Sequence, residues 1–401
     1  MNSSKSRSMR KQKEPVWLAV IRIALACVFL FSGLSKIIDP VASGIQMDDY
    51  FTSFGMGFMH PFSLTLGILM NIAEFTLGFM LFLKIRVRLT TLGYLLFMIF
   101  FFLLTAWLAV AEHLEVNYGY NFGVVKDCGC FGQAISMSNM ETFLKNVVIL
   151  IATLVVFGKR KAIPDIKFTL LGQWFWALVG AGIALLIQIY CLRNLPIYDF
   201  SHWKNCKNCK NIIDLYLGKP EVKEVLFLYG NDSGEERLLS MDDISNILDS
   251  EPNFYEKFFY VNRIDSVVSE AIQPEIPGFS MLDDKGKDFA TIYLNKEAVY
   301  LLFMHDLDEV SNEAMKSEGL QKLVAHCQNN NIDLVGITNS PLKEIEDFIK
   351  KYNITFPIYY NPIDPIKGPF IVRDAIRSNP GLIILEKGVV TDKRAWRNLY
   401  H

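Results

Sequence analysis

The sequence predicts an α-helical transmembrane bundle, four helices plus a fifth, followed by an extracytoplasmic α/β domain. Three observations predict it. Five apolar runs in the first half are each long enough to cross a bilayer, which takes about 20 residues. Lys and Arg cluster in alternate flanks of those runs. After the last run, strand-like and helix-like segments alternate in a stretch of ordinary soluble composition. The 401 residues are 51% hydrophobic and 20% charged, so the average mixes two unlike halves. The net charge of −2 and the lack of a basic patch with interleaved aromatics argue against nucleic acid.

Residues 1–15 form a basic tail with Lys5, Arg7, Arg10, Lys11 and Lys13. Residues 16–158 hold four spans: Val16–Ile38, Phe62–Leu83, Leu89–Ala111 and Phe143–Phe157, the last extended at both ends. The first is too long for a cleaved signal and lacks a small-residue cleavage site. Residues 159–192 hold a basic turn and the fifth span, Leu170–Leu192. Lys84, Arg86 and Arg88 follow the second span, and Lys159, Arg160, Lys161 and Lys167 follow the fourth. Together with the tail they place the N-terminus in the cytoplasm of an inner (plasma) membrane. The loops at 39–61 and 112–140, and everything after Arg193, are then extracytoplasmic.

Arg22 in the first span and Glu74 in the second are intramembrane charges, which are costly and usually paired. Both lie toward the cytoplasmic half, so they are expected to meet. One reading is a structural ion pair; the other puts Glu74 beside a quinone or a proton path. Lys36 and Asp39 are expected at the outer boundary.

Residues 193–275 begin with a Pro-broken polar stretch that reads as an exposed arm and carries Cys206 and Cys209. Glu224–Tyr229 reads as a strand and Met241–Asp249 as a helix. From residue 276 the pattern sharpens. A hairpin is expected at 279–287, strands at Ala298–Met304, Ile332–Thr338, Ile354–Tyr360 and Leu382–Leu385, and helices at Val310–Asn329 and Pro341–Tyr352.

Two cysteine pairs carry the chemistry. Cys128 and Cys130 lie one residue apart in the second outer loop. They read as a redox dithiol, as structural or free thiols, or as part of a metal site; His113 alone in the loop is too few ligands for zinc. Cys206-x-x-Cys209 has disulfide-oxidoreductase spacing, and Lys204, Lys207 and Lys210 favour its thiolate. Its bland reading is a structural disulfide in an oxidising compartment. Asp127 disfavours the Cys128 thiolate, so Cys206 is expected to be the more reactive. An arm of about 10 residues from Pro196 reaches roughly 33 Å when extended, enough to swing Cys206 over the Cys128 loop. Cys27 and Cys327 read as packing residues, and Cys191 lies near the outer face.

Arg22, Gly33, Lys36, Glu74, Gly78 and the run Asp127-Cys128-Gly129-Cys130-Phe131-Gly132 resemble the DoxX family and its methylamine-utilisation relative MauE. The resemblance covers roughly residues 15–192. It implies a redox-linked bundle, related in architecture to DsbB and vitamin K epoxide reductase, which pass electrons from thiols to quinone. Phe279–Lys287, Ala298–Met304 and Ser378-Asn379-Pro380-Gly381 resemble thioredoxin-like domains of the TlpA/ResA or peroxiredoxin type. That implies a cis bond before Pro380. Where those domains carry Cys-x-x-Cys, this chain has His305-Asp306-Leu307-Asp308-Glu309.

The expectation is a membrane-bound thiol–disulfide redox protein with Cys128, Cys130, Cys206 and Cys209 as its reactive groups. Arg22 and Glu74 line a quinone site, and an extracytoplasmic thiol protein is the partner. Its rival is a non-enzymatic assembly factor whose degenerate domain docks a client.

Overall fold

The computed structural model describes residues 13–120, 125, 137–206, 209–218, 222–269, 271–272, 274–276, 278–362 and 370–400. Five helices are long and apolar enough to cross a membrane, and they fall where the sequence predicts spans. They are α1 (Val16–Ile37), α3 (Ser63–Leu83), α4 (Val87–Tyr118), α5 (Asn139–Gly158) and α6 (Leu170–Arg193), with a shorter α2 (Pro40–Ser53) between the first two.

Small residues set the register of α1 against α3. A Cβ on Gly33 would sit 2.8 Å from the Phe75 backbone, and one on Gly78 would sit 2.9 Å from Leu30 N. Such contacts let backbones approach closely where packing, not water, drives association. The segment expected as an outer loop at 39–61 instead begins with a helix. Asp39 caps it by accepting from Ala42 N at 3.1 Å, and Pro40 occupies its first turn. α2 then packs along α3.

α4 continues past the expected end at Ala111 and stops at Gly119, whose φ of 73° suits the left-handed cap. His113 is therefore helical, not in the loop. Ser138 and Glu141 form a reciprocal capping box that starts α5.

The second half is mixed α/β. After α7 (Ile212–Leu217), strands β1 (Val222–Gly230), β2 (Glu236–Leu239) and β3 (Phe259–Ser269) form an antiparallel sheet in the order β2-β1-β3. Helices α8 (Met241–Ser250) and α9 (Phe254–Lys257) lie between β2 and β3 in the chain. Next come α10 (Ala290–Leu294), β4 (Ala298–Met304), α11 (Asn312–Met315), α12 (Glu318–Asn329), β5 (Asp333–Thr338), α13 (Leu342–Tyr352), β6 (Ile358–Tyr360), α14 (Phe370–Ala375), β7 (Gly381–Glu386) and β8 (Val389–Ala395). The five strands form one sheet, β6-β5-β4-β7-β8. β4 is parallel to β5 and antiparallel to β7.

β4 is central because both its faces are apolar. Val299, Leu301 and Phe303 pack on one side with Val335, Ile337 and Ile383. Leu302 and Met304 pack on the other with Leu323, Phe348 and Leu382. This is the period-two alternation of a strand. Each such side chain stabilises by about 1.5–3 kcal/mol.

Three expectations need correction. The helix at 310–329 breaks into α11 and α12, because Ser317 accepts from Leu320 N and caps a fresh start. The strand at 354–360 forms only over Ile358–Tyr360. The hairpin at 279–287 is a turn closed by one bridge, Leu282 to Asp288. The Asn379–Pro380 bond is cis, as expected.

Candidate functional site: paired charges in the bundle and a pinned disulfide arm

Arg22 and Glu74 do not meet. Arg22 Nε lies 2.8 Å from Glu14 Oε1, and its Nη1 donates to the carbonyls of Leu81 (2.9 Å) and Phe82 (3.1 Å). A cation at the C-terminal carbonyls of α3 complements that helix's dipole. Lys84 also pairs with Glu14, at 2.8 Å. The Gly33–Phe75 and Gly78–Leu30 contacts place Lys36, not Arg22, opposite Glu74.

Lys36 Nζ lies 2.7 Å from Glu74 Oε2, with side chains 10% and 5% exposed. Glu74 is eleven residues along α3, or about 16 Å at about 1.5 Å each. Lys36, one residue before the end of α1, is thus turned into the bundle. Nearby, Asn71 donates to Ser43 Oγ (2.9 Å) and Gln188 Oε1 (3.1 Å), tying α3 to α2 and α6.

A void of about 30 Å³ adjoins the pair, with Ser32, Phe101, Lys145 and Asn146 in its wall. A buried water needs about 10–15 Å³, so the void has the size of water. It is too small for an aromatic ring unless side chains move.

Cys128 and Cys130 lie outside the described residues, as does Asp127. Cys206 and Cys209 are bonded to each other, with Cα atoms 5.3 Å apart. Their arm is not free to swing. Trp203 is fully buried between Phe279 and Phe303, at ring separations of 5.1 and 5.4 Å. Asp199 pairs with Lys393 at 2.5 Å, Asn205 donates to Thr391 O, and Ile212 N–H donates to Gly388 O at 2.8 Å. Burial pushes the Asp199 carboxyl up, but Lys393 and Ser201 outweigh it and hold the group below its ordinary range. The arm was expected to be exposed because the stretch around the cysteines is polar; the fully buried Trp203 anchors it.

Of the three lysines around the pair, Lys210 is taken up by Glu275 at 2.5 Å, and Lys207 lies outside the described residues. Lys204 is exposed. Cys327 is buried, which pushes its thiol up to about 11. Among the described residues no cluster of three His, Cys, Asp or Glu is placed to hold a metal.

At the end of β4 the chain is closed by hydrogen bonds. His305 N–H donates to Asn379 Oδ1 at 3.0 Å, and Asn379 Nδ2 donates to Asp306 O at 3.0 Å. His305 Nε2 lies 2.7 Å from Ile376 O. Burial, then the Arg373 charge, lowers the imidazole to about 3, so the ring is neutral and Nε2–H is the donor.

The two halves of the molecule are joined by a buried ion pair that the sequence did not announce. Arg377 Nε lies 3.1 Å from Asp39 Oδ2, with side chains 4% and 5% exposed. Arg377 Nη2 also reaches Asp374 at 3.2 Å. Asp39 therefore both caps α2 and holds the α/β domain.

No curated protein and no solved structure matches the chain. Residues 14–158, from the Glu14 partner of Arg22 to the end of α5, match the family model of methylamine utilisation protein MauE.

Proposed function

We propose that the chain is a membrane-bound thiol–disulfide redox protein of the inner membrane, with a cytoplasmic N-terminus and an extracytoplasmic α/β domain. The observation that carries the reading is the bonded Cys206–Cys209 pair. It is clamped to a domain that is itself ion-paired to a bundle matching MauE. Cys128 and Cys130 are the membrane-proximal pair in this reading, and an extracytoplasmic thiol protein is the partner. The basic flanks of the spans support the orientation. A quinone near Glu74 is the acceptor if oxidation is the direction, entering the site only if Phe97 or Phe101 moves off the Lys36–Glu74 pair. The α/β domain is thioredoxin-like in this reading, supported by its strand order and by the turn at Pro380.

A second reading has its own support. The thioredoxin-type active-site position is sealed by His305 and Asn379, which suits a domain that docks a client without exchanging thiols.

Intact cells treated with a membrane-impermeant maleimide, before and after mild reduction, separate the two. Under the redox reading Cys206 and Cys209 cycle, so part of the population labels without reductant. A Cys209→Ser, Cys128→Ser variant then accumulates a Cys206–Cys130 crosslink on non-reducing gels. Pairs that stay fully oxidised, with no crosslink, favour the assembly factor; labelling only after lysis reverses the orientation.

A further inference from the structure

Between the outer end of α6 and the α/β domain lies a cavity of about 580 Å³. One wall is the arm, at residues 195–199 and 204–206; the other is the segment before the cis-proline turn together with β8. Its volume falls in the range of about 300–1,000 Å³ usual for ligand sites. Cys206 lines it and Cys209 does not.

The wall chemistry narrows the occupant. The deep cations are already neutralised: Arg377 by Asp39 and Asp374, Lys393 by Asp199. The lining carries Lys204, Arg377 and Lys393 against Asp199, Asp374 and Asp392, three charges of each sign. An anionic headgroup or phosphate finds no uncommitted cation at the bottom. Leu195, Ile197, Tyr198 and Ile376 supply apolar surface, and Asn205 supplies an amide. Ile197 and Tyr198 are 60% and 56% exposed, so the mouth is open to a chain entering along the arm. This mixture suits an uncharged stretch of polypeptide.

We infer that this cavity docks an extended, thiol-bearing segment of a client polypeptide and delivers its thiol to Cys206; the inference rests on the thiol–disulfide reading above. The client thiolate attacks Cys206 Sγ, the Cys206–Cys209 bond breaks, and Cys209 leaves as a thiolate. A second client thiolate then attacks the client sulfur of the mixed disulfide and releases Cys206. The client gains a disulfide, Cys206 and Cys209 become a dithiol, and the two protons given up by the client thiols return to them. Two electrons move and no other reactant is needed. Lys204, exposed near the pair and without a carboxylate partner among the described residues, favours the thiolates.

The test uses the full chain carrying Cys128→Ser and Cys130→Ser, so that one disulfide reports. Two reductants are compared: an uncharged octapeptide with two cysteines, and dithiothreitol. Appearance of the Cys206 and Cys209 thiols is followed by maleimide gel shift. Ile197→Trp narrows the mouth at an exposed position. It should slow the peptide by about tenfold, as a built-in clash does. Dithiothreitol should stay within about twofold, because exchange itself is untouched. Ile197→Ala, which adds no bulk at the same exposed position, should leave both reductants within about twofold and guards against a folding fault at that site. Equal slowing of both reductants, or of neither, overturns the docking site and leaves the redox reading standing. A disulfide that neither reductant opens overturns both.

Discussion

The bundle and the end of β4 in the α/β domain bury titratable side chains in different ways. The bundle buries them charged and in pairs, Lys36 with Glu74 and Arg22 with Glu14. Where β4 ends, the α/β domain buries a neutral imidazole that donates to the Ile376 carbonyl. A charge pair ties helices into one register, but losing either member strands the other. A neutral network costs less to bury and fails only when protonation is forced on it. The junction follows the bundle's rule, since Arg377 and Asp39 are both charged and both buried.

The sharpest way to break this contrast is at Lys36. Lys36→Met leaves Glu74 unpaired and is expected to cost about 3–5 kcal/mol. Lys36→Met with Glu74→Leu should recover most of that loss, since the stranded charge is gone. Unfolding in detergent across the four-member cycle measures it; single losses that simply add would mean the two groups are not coupled.

In the α/β half the corresponding anchor is apolar. Trp203→Ala removes a fully buried ring and is expected to cost about 3 kcal/mol, the low end for such truncations because the arm can relax. It should also expose residues 198–205 to protease while the sheet stays protected. An arm that remains resistant would show that Asp199 and Asn205 suffice to hold it.

The smallest effect is a pH slope. His305 is neutral when folded, with its imidazole lowered to about 3, whereas an unfolded His titrates near 6.5. Below that unfolded value the unfolded chain takes up a proton that the folded chain refuses. The contribution of this group is therefore complete above about pH 6.5 and is lost as pH falls toward about 3, by about 1.4 kcal/mol per unit. Urea unfolding at pH 7, 6 and 5 should show the slope, and His305→Gln should flatten it. An unchanged slope in the variant would assign the acid sensitivity to carboxylates.

Spans and the central strand were legible because their signals are long and periodic. The pairing of Glu74 was not. Distance along each helix can be counted from sequence, but the offset between antiparallel helices comes from contacts such as Gly33 on Phe75. The stretch from 39 read as a loop, yet Pro40 is a first-turn proline that starts a helix. β3 went unread because Asn262, Arg263 and Asp265 interrupt its apolar alternation. Trp203 was visible as a lone aromatic in a polar stretch and was the missed sign that the arm is fixed. Nothing in the sequence links Asp39 to Arg377.

That last contact joins residues 338 apart in the chain. At about 5–20 residues per second, synthesis takes roughly 17–70 s to travel from one to the other. Through that interval the Asp39 carboxylate caps α2 with no guanidinium to receive it. A chain cut short before Arg377 keeps it so permanently. The ion pair thus couples the two halves in time as well as in space: the α1–α2 corner stays unlocked until Arg377, 338 residues further on, has been made.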